Sequence, residues 1–389
     1  MNVLWLAGHH FEPATMGLYT YPRGVARSLI EHGAEISFIG HERDEVPRPD
    51  DPDWTLLGPA FRHTVRGQLT KYPFMISEVF NKEAQEAIGP LVRRSKPDVI
   101  IIDHLRAGGP IELLRNVAPI VYLSHNHESS VKQSTLDNNP SFHHKVAFTL
   151  DLRKLRRMEQ RICDESALVT AISQTDVESY HRQNHVERDR LMVIPPAFRG
   201  ERLEERTITS DTPRRVVIVN NLVWGVKRRN MHELLEVTAK PLHDAGIELA
   251  IVGGDDEINR PTAELFPTVT FPGFVPDLQQ YLSDSRMAVM FEPEGGGLKM
   301  KILDYVFNRV PVVGLPSAMA GVPVEPNTDY LPAPRAVDVA EQILATIDDI
   351  ERLNKLHDAA FDACRTAFLP FETGRSLSER LEQIVQAAP

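Results

Sequence analysis

The chain is poor in cysteine, with two among 389 residues, Cys163 and Cys364. Two such residues build no disulfide framework and have no metal-ligand spacing, which fits a reducing compartment. Long apolar runs are also missing. Nothing approaches the ~20 residues that span a bilayer, so any membrane contact is expected to be peripheral. The opening MNVLWLAGHH has a short apolar stretch and no basic n-region. It predicts a strand and not a signal peptide, and a cytoplasmic protein. Positive charge is in deficit, 43 Lys plus Arg against 54 Asp plus Glu, a net charge of −11. Such a chain is a poor general binder of nucleic acid, because phosphate contacts come from clustered Lys and Arg. A phosphate site must therefore be a local basic patch.

What is present is a repeating alternation of short β-branched runs with longer helical segments. In the first half the runs are Val3–Ala7, Ile36–Ile39, Val99–Ile102, Ile120–Leu123, Leu168–Ala171 and Leu191–Ile194. They are apolar throughout, the pattern of strands buried on both faces of a parallel sheet. Val25, Leu29 and Ile30 fall on a helical period between Tyr21 and His32, and Gly33 is a C-terminal cap. The pattern restarts with Val216–Val219, Leu249–Val252, Val269–Phe271, Met287–Phe291 and Val310–Val313. Residues 194 to 215, rich in Pro and charge, read as the linker. Two doubly wound α/β domains are expected: residues 1–195, with a C-terminal helix 372–389 returning to them, and residues 196–371. The acidic, proline-rich stretch from Glu42 to Asp53 reads as a surface loop. Its Asp51-Pro52-Asp53 has the spacing of a metal-binding pair, but its composition favours the loop.

The segment PEGGGLKMKILDYVFNRVPVVG, Pro293 to Gly314, carries the most chemistry. Three glycines follow a strand, and a helix is expected from Leu298 to just before Pro311. Glycine admits close backbone approach, and a helix start favours an anion. Lys299 and Lys301 place cations in the first turn, where the helix dipole disfavours them. A local rule broken in this way points to a functional site. Asp304 follows on the same face. A lysine near phosphates and a carboxylate one turn on would hold a pyrophosphate and a ribose; a buried helix with two solvated lysines is the other reading of the same residues.

This segment resembles the signature helix of the retaining family 4 glycosyltransferases, which have the GT-B fold of two Rossmann-like domains facing a central cleft. Asp304 falls at the second Glu of that family's pattern, counting back from Pro311-Val312-Val313, and Gly296 falls at the first. Gly295-Gly296-Gly297-Leu298-Lys299-Met300-Lys301 is close to a glycine- and lysine-rich branch. Arg309 replaces the usual Gly. In VVIVNNLVWGVKRRNMHELL, Asn221 stands where the family has a phosphate-binding Arg, Lys227 matches its Lys, and Arg228 follows. In FPGFVPDLQQYLSDSRMAVM, the resemblance puts the backbone of Gly273, Phe274 and Val275 against the donor base. LMVIPPAF has Pro196 in place of the family's Asn.

In the first half, IVYLSHNHESS sets His125 and His127 just after a strand, where open α/β sheets bind ligands. The resemblance makes His125 a residue that holds the donor sugar, with Glu128 on the acceptor side; a structural histidine is the alternative. Gly17 would reach the donor phosphates, and His9 and His10 would line the acceptor pocket, although a plain loop explains them equally. No Asp or Glu is placed clearly at the end of a first-domain strand as a base for direct inversion, so retention is expected.

The function implied is transfer of a hexose-type sugar from a nucleotide diphosphate donor to a hydroxyl acceptor in polysaccharide or glycoconjugate synthesis. The nucleotide sugar and the acceptor are the expected partners. No cofactor and no metal are expected, with Lys227, Lys301 and His125 as the catalytic group and Gly297, Leu298 and Lys299 among the donor contacts. Two alternatives stay open. One is an isomerase of the UDP-sugar 2-epimerase kind, against which the absence of paired acidic residues after a D-S-G-G run counts. The other is a non-catalytic nucleotide-sugar-binding protein, suggested by Asn221 and Gly296 at positions expected to be charged.

Overall fold

The apolar runs form two all-parallel sheets. In this computed structural model the described residues are all except 15–16, 44–50, 61–69, 138–141, 223–224, 255–258, 294–297 and 388–389. The chain divides into two units, residues 1–197 with 368–389, and residues 198–367.

The first unit holds strands β1 (Asn2–His9), β2 (Glu35–Glu42), β3 (Trp54–Pro59), β4 (Val99–Asp103), β5 (Ile120–Leu123), β6 (Leu168–Ala171) and β7 (Leu191–Val193) in the order β3-β2-β1-β4-β5-β6-β7. Neighbouring residues of each strand serve opposite faces, as the period of two requires. Leu4, Leu6, Ile100 and Ile102 pack with Ile88, Val92, Leu155 and Ile162 on one side. Val3, Trp5, Ile101 and Val121 pack with Val25, Leu29, Leu377 and Leu381 on the other. The last two come from the C-terminal helix Pro370–Ala387, which lies on the helix Gly17–Glu31. Gly374 permits that approach, since a Cβ there would sit 2.6 Å from the Ser28 carbonyl oxygen.

The second unit holds β8 (Arg215–Val219), β9 (Glu248–Val252), β10 (Val269–Gly273), β11 (Met287–Met290), β12 (Val312–Gly314) and β13 (Leu331–Pro332), ordered β10-β9-β8-β11-β12-β13. Its core joins Val216, Ile218, Leu249, Ile251 and Val289 to Leu234, Leu235, Val339 and Ile343 of the covering helices. Both sheets follow the doubly wound order, with the direction of winding reversing between β1 and β4 and between β8 and β11. In such sheets ligands sit outside the carboxyl ends of the strands at that reversal.

Several local expectations are corrected. β3 is an edge strand, half-buried and ending in Gly58-Pro59, so it has no continuous apolar run to betray it. The helix expected from Tyr21 begins at Gly17. The signature helix spans Lys301–Phe307 and not Leu298 onward. Residues 299 and 301 would lie about 200° apart on a helix, yet both side chains turn to one carboxylate, which non-helical backbone before Lys301 allows. An acidic residue does stand at the end of a first-unit strand: Asp103 closes β4.

Candidate active site

In the second unit the residue after β11 and Phe291 is Glu292, and three lysines gather on it. Lys301 Nζ lies 2.6 Å from Glu292 Oε1, Lys227 Nζ 3.6 Å from the same oxygen, and Lys299 Nζ 4.0 Å from Oε2. Glu292 is 7% exposed, so the carboxylate is a buried anchor rather than a surface partner. Lys227 comes from the helix Gly225–Asp244 that follows β8, while Lys299 and Lys301 follow β11. The cluster therefore straddles the winding reversal of the sheet. Tyr305, one turn beyond Lys301, ties the short helix to β8 by accepting a hydrogen bond from the Val219 N–H at 2.7 Å. Burial alone would raise the Glu292 carboxyl, but Lys301, Lys227 and Lys299 outweigh it and hold it below the usual range. Lys301 is pushed down to about 8 by burial, against the pull of Glu292 and with a further push from Lys227 and Lys299. Three cations on one anion leave a surplus of positive charge, the local basic patch an acidic chain needs to hold a phosphate.

Asp304 is half-buried, and its carboxylate makes no hydrogen bond or ion pair among the described residues. Burial pushes it up to about 6. Arg228 Nε is buried without a hydrogen-bond partner among the described residues. Asn220 donates its backbone N–H to Val252 at 2.8 Å, and its side-chain Oδ1 is buried without a partner. The half-buried Asn221 follows at the mouth of the strand. Gly273 ends β10 at φ 74°, a left-handed value that suits glycine. Phe274 beside it is 85% exposed, and Val275 is half-buried. Leu298 is buried. Gly296 and Gly297 lie outside the described residues.

In the first unit a small pocket opens at the ends of β1, β4 and β5. Gly8, His9, Tyr19, Asp103, His104 and His125 line it, with a volume of about 20 Å³. That is room for one water-sized group. His125 Nε2 lies 2.6 Å from Asp103 Oδ1, both residues being buried. Burial lowers the His125 pKa, offset in part by Asp103. His104 Nε2 lies 3.1 Å from Glu128 Oε1, and its Nδ1 accepts the Arg106 N–H at 3.1 Å. Burial by itself would raise Glu128, but His104 and Asn126 hold it below the usual carboxylate range. His104 sits at φ 65°, ψ 153°, a region almost reserved for glycine that costs a side chain about 1–3 kcal/mol and is common at functional sites.

His9 thus lines the pocket, while His10 turns away to pack on Trp54 and lies 3.8 Å from Asp51. Gly17 is exposed in the first turn of its helix. His127 points into the core, where Ser130, Asn184 and Glu159 hold it. No group of three metal-ligating residues occurs among the described residues, and none of their helices is long and apolar enough to cross a membrane. The sequence reading missed Glu292, Asp103 and His104. Each directly follows or ends a buried apolar strand, which was the signal available for them.

Residues 17–202 match the Glycosyltransferase Family 4 domain, and residues 213–349 match the Glycosyl transferases group 1 domain. No curated protein matches the chain in sequence. Among solved structures, sucrose-phosphate synthase (tll1590) from Thermosynechococcus elongatus is similar with a TM-score of 0.71 at 15% identity, covering 100% of both chains. Anabaena Alr3699/HepE in complex with UDP gives 0.65 at 15% identity, over 98% of this chain and 100% of that one. The pneumococcal O-GlcNAc transferase GtfA in complex with UDP and GlcNAc gives 0.66 at 12%, over 99% of each. At these identities the likeness is one of fold. With a glycosyltransferase domain in each half and the GT-B fold throughout, the chain resembles the family 4 glycosyltransferases.

Proposed function

We propose that the chain transfers a sugar from a nucleoside diphosphate donor to a hydroxyl acceptor, with retention at the anomeric carbon and without a metal. The observation that carries this reading is the convergence of Lys227, Lys299 and Lys301 on the buried Glu292 at the winding reversal of the second sheet. Negative charge grows on a departing diphosphate as its bond to the sugar breaks. Preorganised cations stabilise that charge most where water is scarce. Asp304, desolvated and unpaired, suits the ribose hydroxyls. A UDP-sugar as donor is supported by the UDP bound to the Anabaena and pneumococcal proteins.

Retention is supported by the resemblance of the signature segment to the retaining family 4 glycosyltransferases and by the match to that family's domain. Asp103 is engaged by His125 and Glu128 by His104. In this reading the acceptor oxygen attacks on the face the nucleotide leaves, and the leaving diphosphate takes its proton. The C–O bond to the acceptor forms as the C–O bond to phosphate breaks, so charge and protons balance.

The test is release of free nucleotide from a panel of nucleotide sugars, with Lys301→Ala as control. Loss of one such contact costs ~2.7–4 kcal/mol, or about 10²–10³ in rate. A parent rate in Lys301→Ala would overturn the site assignment. Complete loss of activity in EDTA, restored by Mn²⁺ or Mg²⁺, would overturn the metal-free reading. An inverted anomeric centre in the NMR spectrum of the product would overturn retention.

A further inference from the structure

His125 has two ring nitrogens in unlike surroundings. Nε2 is held at 2.6 Å by Asp103 Oδ1, and both residues are at most 5% exposed. Nδ1 makes no hydrogen bond among the described residues, and the ring forms part of the lining of the pocket at the ends of β1, β4 and β5. A carboxylate oxygen only accepts, so the proton between the pair belongs to Nε2. Burial disfavours a second proton on the ring. Nδ1 is then a bare acceptor. The rings of Tyr21 and His104 stand edge-on to His125, each with centroids 5.0 Å away, so the imidazole is wedged and cannot readily exchange its two nitrogens. Arg106 also lines the pocket, and its Nε is buried without a hydrogen-bond partner among the described residues. His104 uses Nε2 on Glu128 and Nδ1 on the Arg106 N–H, and Tyr21 donates its hydroxyl to the Ile194 carbonyl at 2.9 Å. The pocket that His125 lines, about 20 Å³, takes a group the size of a hydroxyl.

We propose that Asp103 is a positioning residue that sets His125 in its Nε2–H tautomer, so that Nδ1 accepts a hydrogen bond from a sugar hydroxyl. This rests on the glycosyltransferase reading only for the presence of a sugar. A hydroxyl supplies the proton that a bare imidazole nitrogen needs. The hydroxyl belongs to either the donor sugar or the acceptor, and the probes below separate the two sources.

The experiment uses the full chain with ¹⁵N-labelled histidine, the His125 resonances being assigned with His125→Gln. In the ligand-free protein His125 carries its proton on Nε2. Asp103→Asn presents an amide N–H₂ to Nε2 and moves the proton to Nδ1, whereas Asp103→Glu retains the original tautomer. UDP-glucose shifts the Nδ1 resonance if the hydroxyl is the donor's, and a methyl glucoside shifts it if the hydroxyl is the acceptor's. Release of UDP from UDP-glucose falls roughly 10- to 100-fold in Asp103→Asn, as one misaligned hydrogen bond implies, and recovers in Asp103→Glu. A proton on Nδ1 in the parent protein, an unchanged tautomer in Asp103→Asn, or an Nδ1 that responds to neither sugar would overturn the inference. A tautomer that depends on Asp103 supports it even if no nucleotide sugar is consumed, a result that would count against sugar transfer alone.

Discussion

Raising the pH should weaken nucleoside diphosphate binding from about pH 8 upward, and Lys301 is the reason. Its ammonium is pushed down to about 8 from the usual 10.5 by burial, with Glu292 pulling it up and Lys227 and Lys299 pushing it further down. The diphosphate anion favours the charged lysine. Well below pH 8 the lysine is protonated and its titration leaves the affinity unchanged. Above it, each binding event must also take up a proton, and the association constant falls up to tenfold per pH unit. Between pH 7 and pH 9 the loss is about tenfold, or ~1.4 kcal/mol. The diphosphate itself does not titrate in that range, since its last ionisation lies near pH 6. Isothermal titration with UDP from pH 7 to pH 9.5, in two buffers of different ionisation enthalpy, reads both the affinity and the proton uptake. Lys301→Arg keeps its charge throughout and should remove the fall. Stability moves the opposite way. Between about 8 and 10.5 the unfolded chain holds the lysine proton that the folded chain has shed, so this group makes the second unit more stable as pH rises. The falling affinity is therefore not a sign of unfolding. A flat affinity in the parent protein, or an equal fall in Lys301→Arg, would refute the reasoning.

Two further outcomes follow from the site geometry. Asp304, pushed up to about 6 by burial, should accept from ribose hydroxyls only in its ionised form. Asp304→Asn is therefore expected to weaken UDP binding by about tenfold or more at pH 8, and by less at pH 5.5; equal affinities at pH 8 would show that it does not touch the ribose. For His104, replacement by glycine relieves about 1–3 kcal/mol of backbone strain, which offsets the loss of two hydrogen bonds worth about 1 kcal/mol each. His104→Gly should thus melt within a few degrees of the parent while losing sugar transfer. A large fall in Tm with activity retained would mean the strained backbone serves the fold and not the chemistry.

Strand identity was legible in the sequence because burial on both faces leaves a continuous apolar run. Ile120–Leu123 and Leu168–Ala171 coincide with β5 and β6 residue for residue. The half-buried edge strand β3 and the two-residue β13 lacked such a run and went unread. The lysines were legible for a different reason: two cations at an expected helix start violate a local preference. The sequence could not show what they surround, because Glu292 is nine residues from Lys301 and 65 from Lys227 along the chain. Only the parallel pairing of β11 with β8 brings the carboxylate and the three ammonium groups together. Asp103 and His125 are likewise 22 residues apart and meet because β4 and β5 are neighbours in register, with Asp103 opposite Leu123. His104 shows the limit most plainly. Its strained backbone follows from where β4 ends and a 3₁₀ turn begins, with the Arg106 N–H reaching back to its ring. Periodicity and composition report which residues are buried. Which buried polar groups face one another is decided by strand order, and so by the tertiary fold alone.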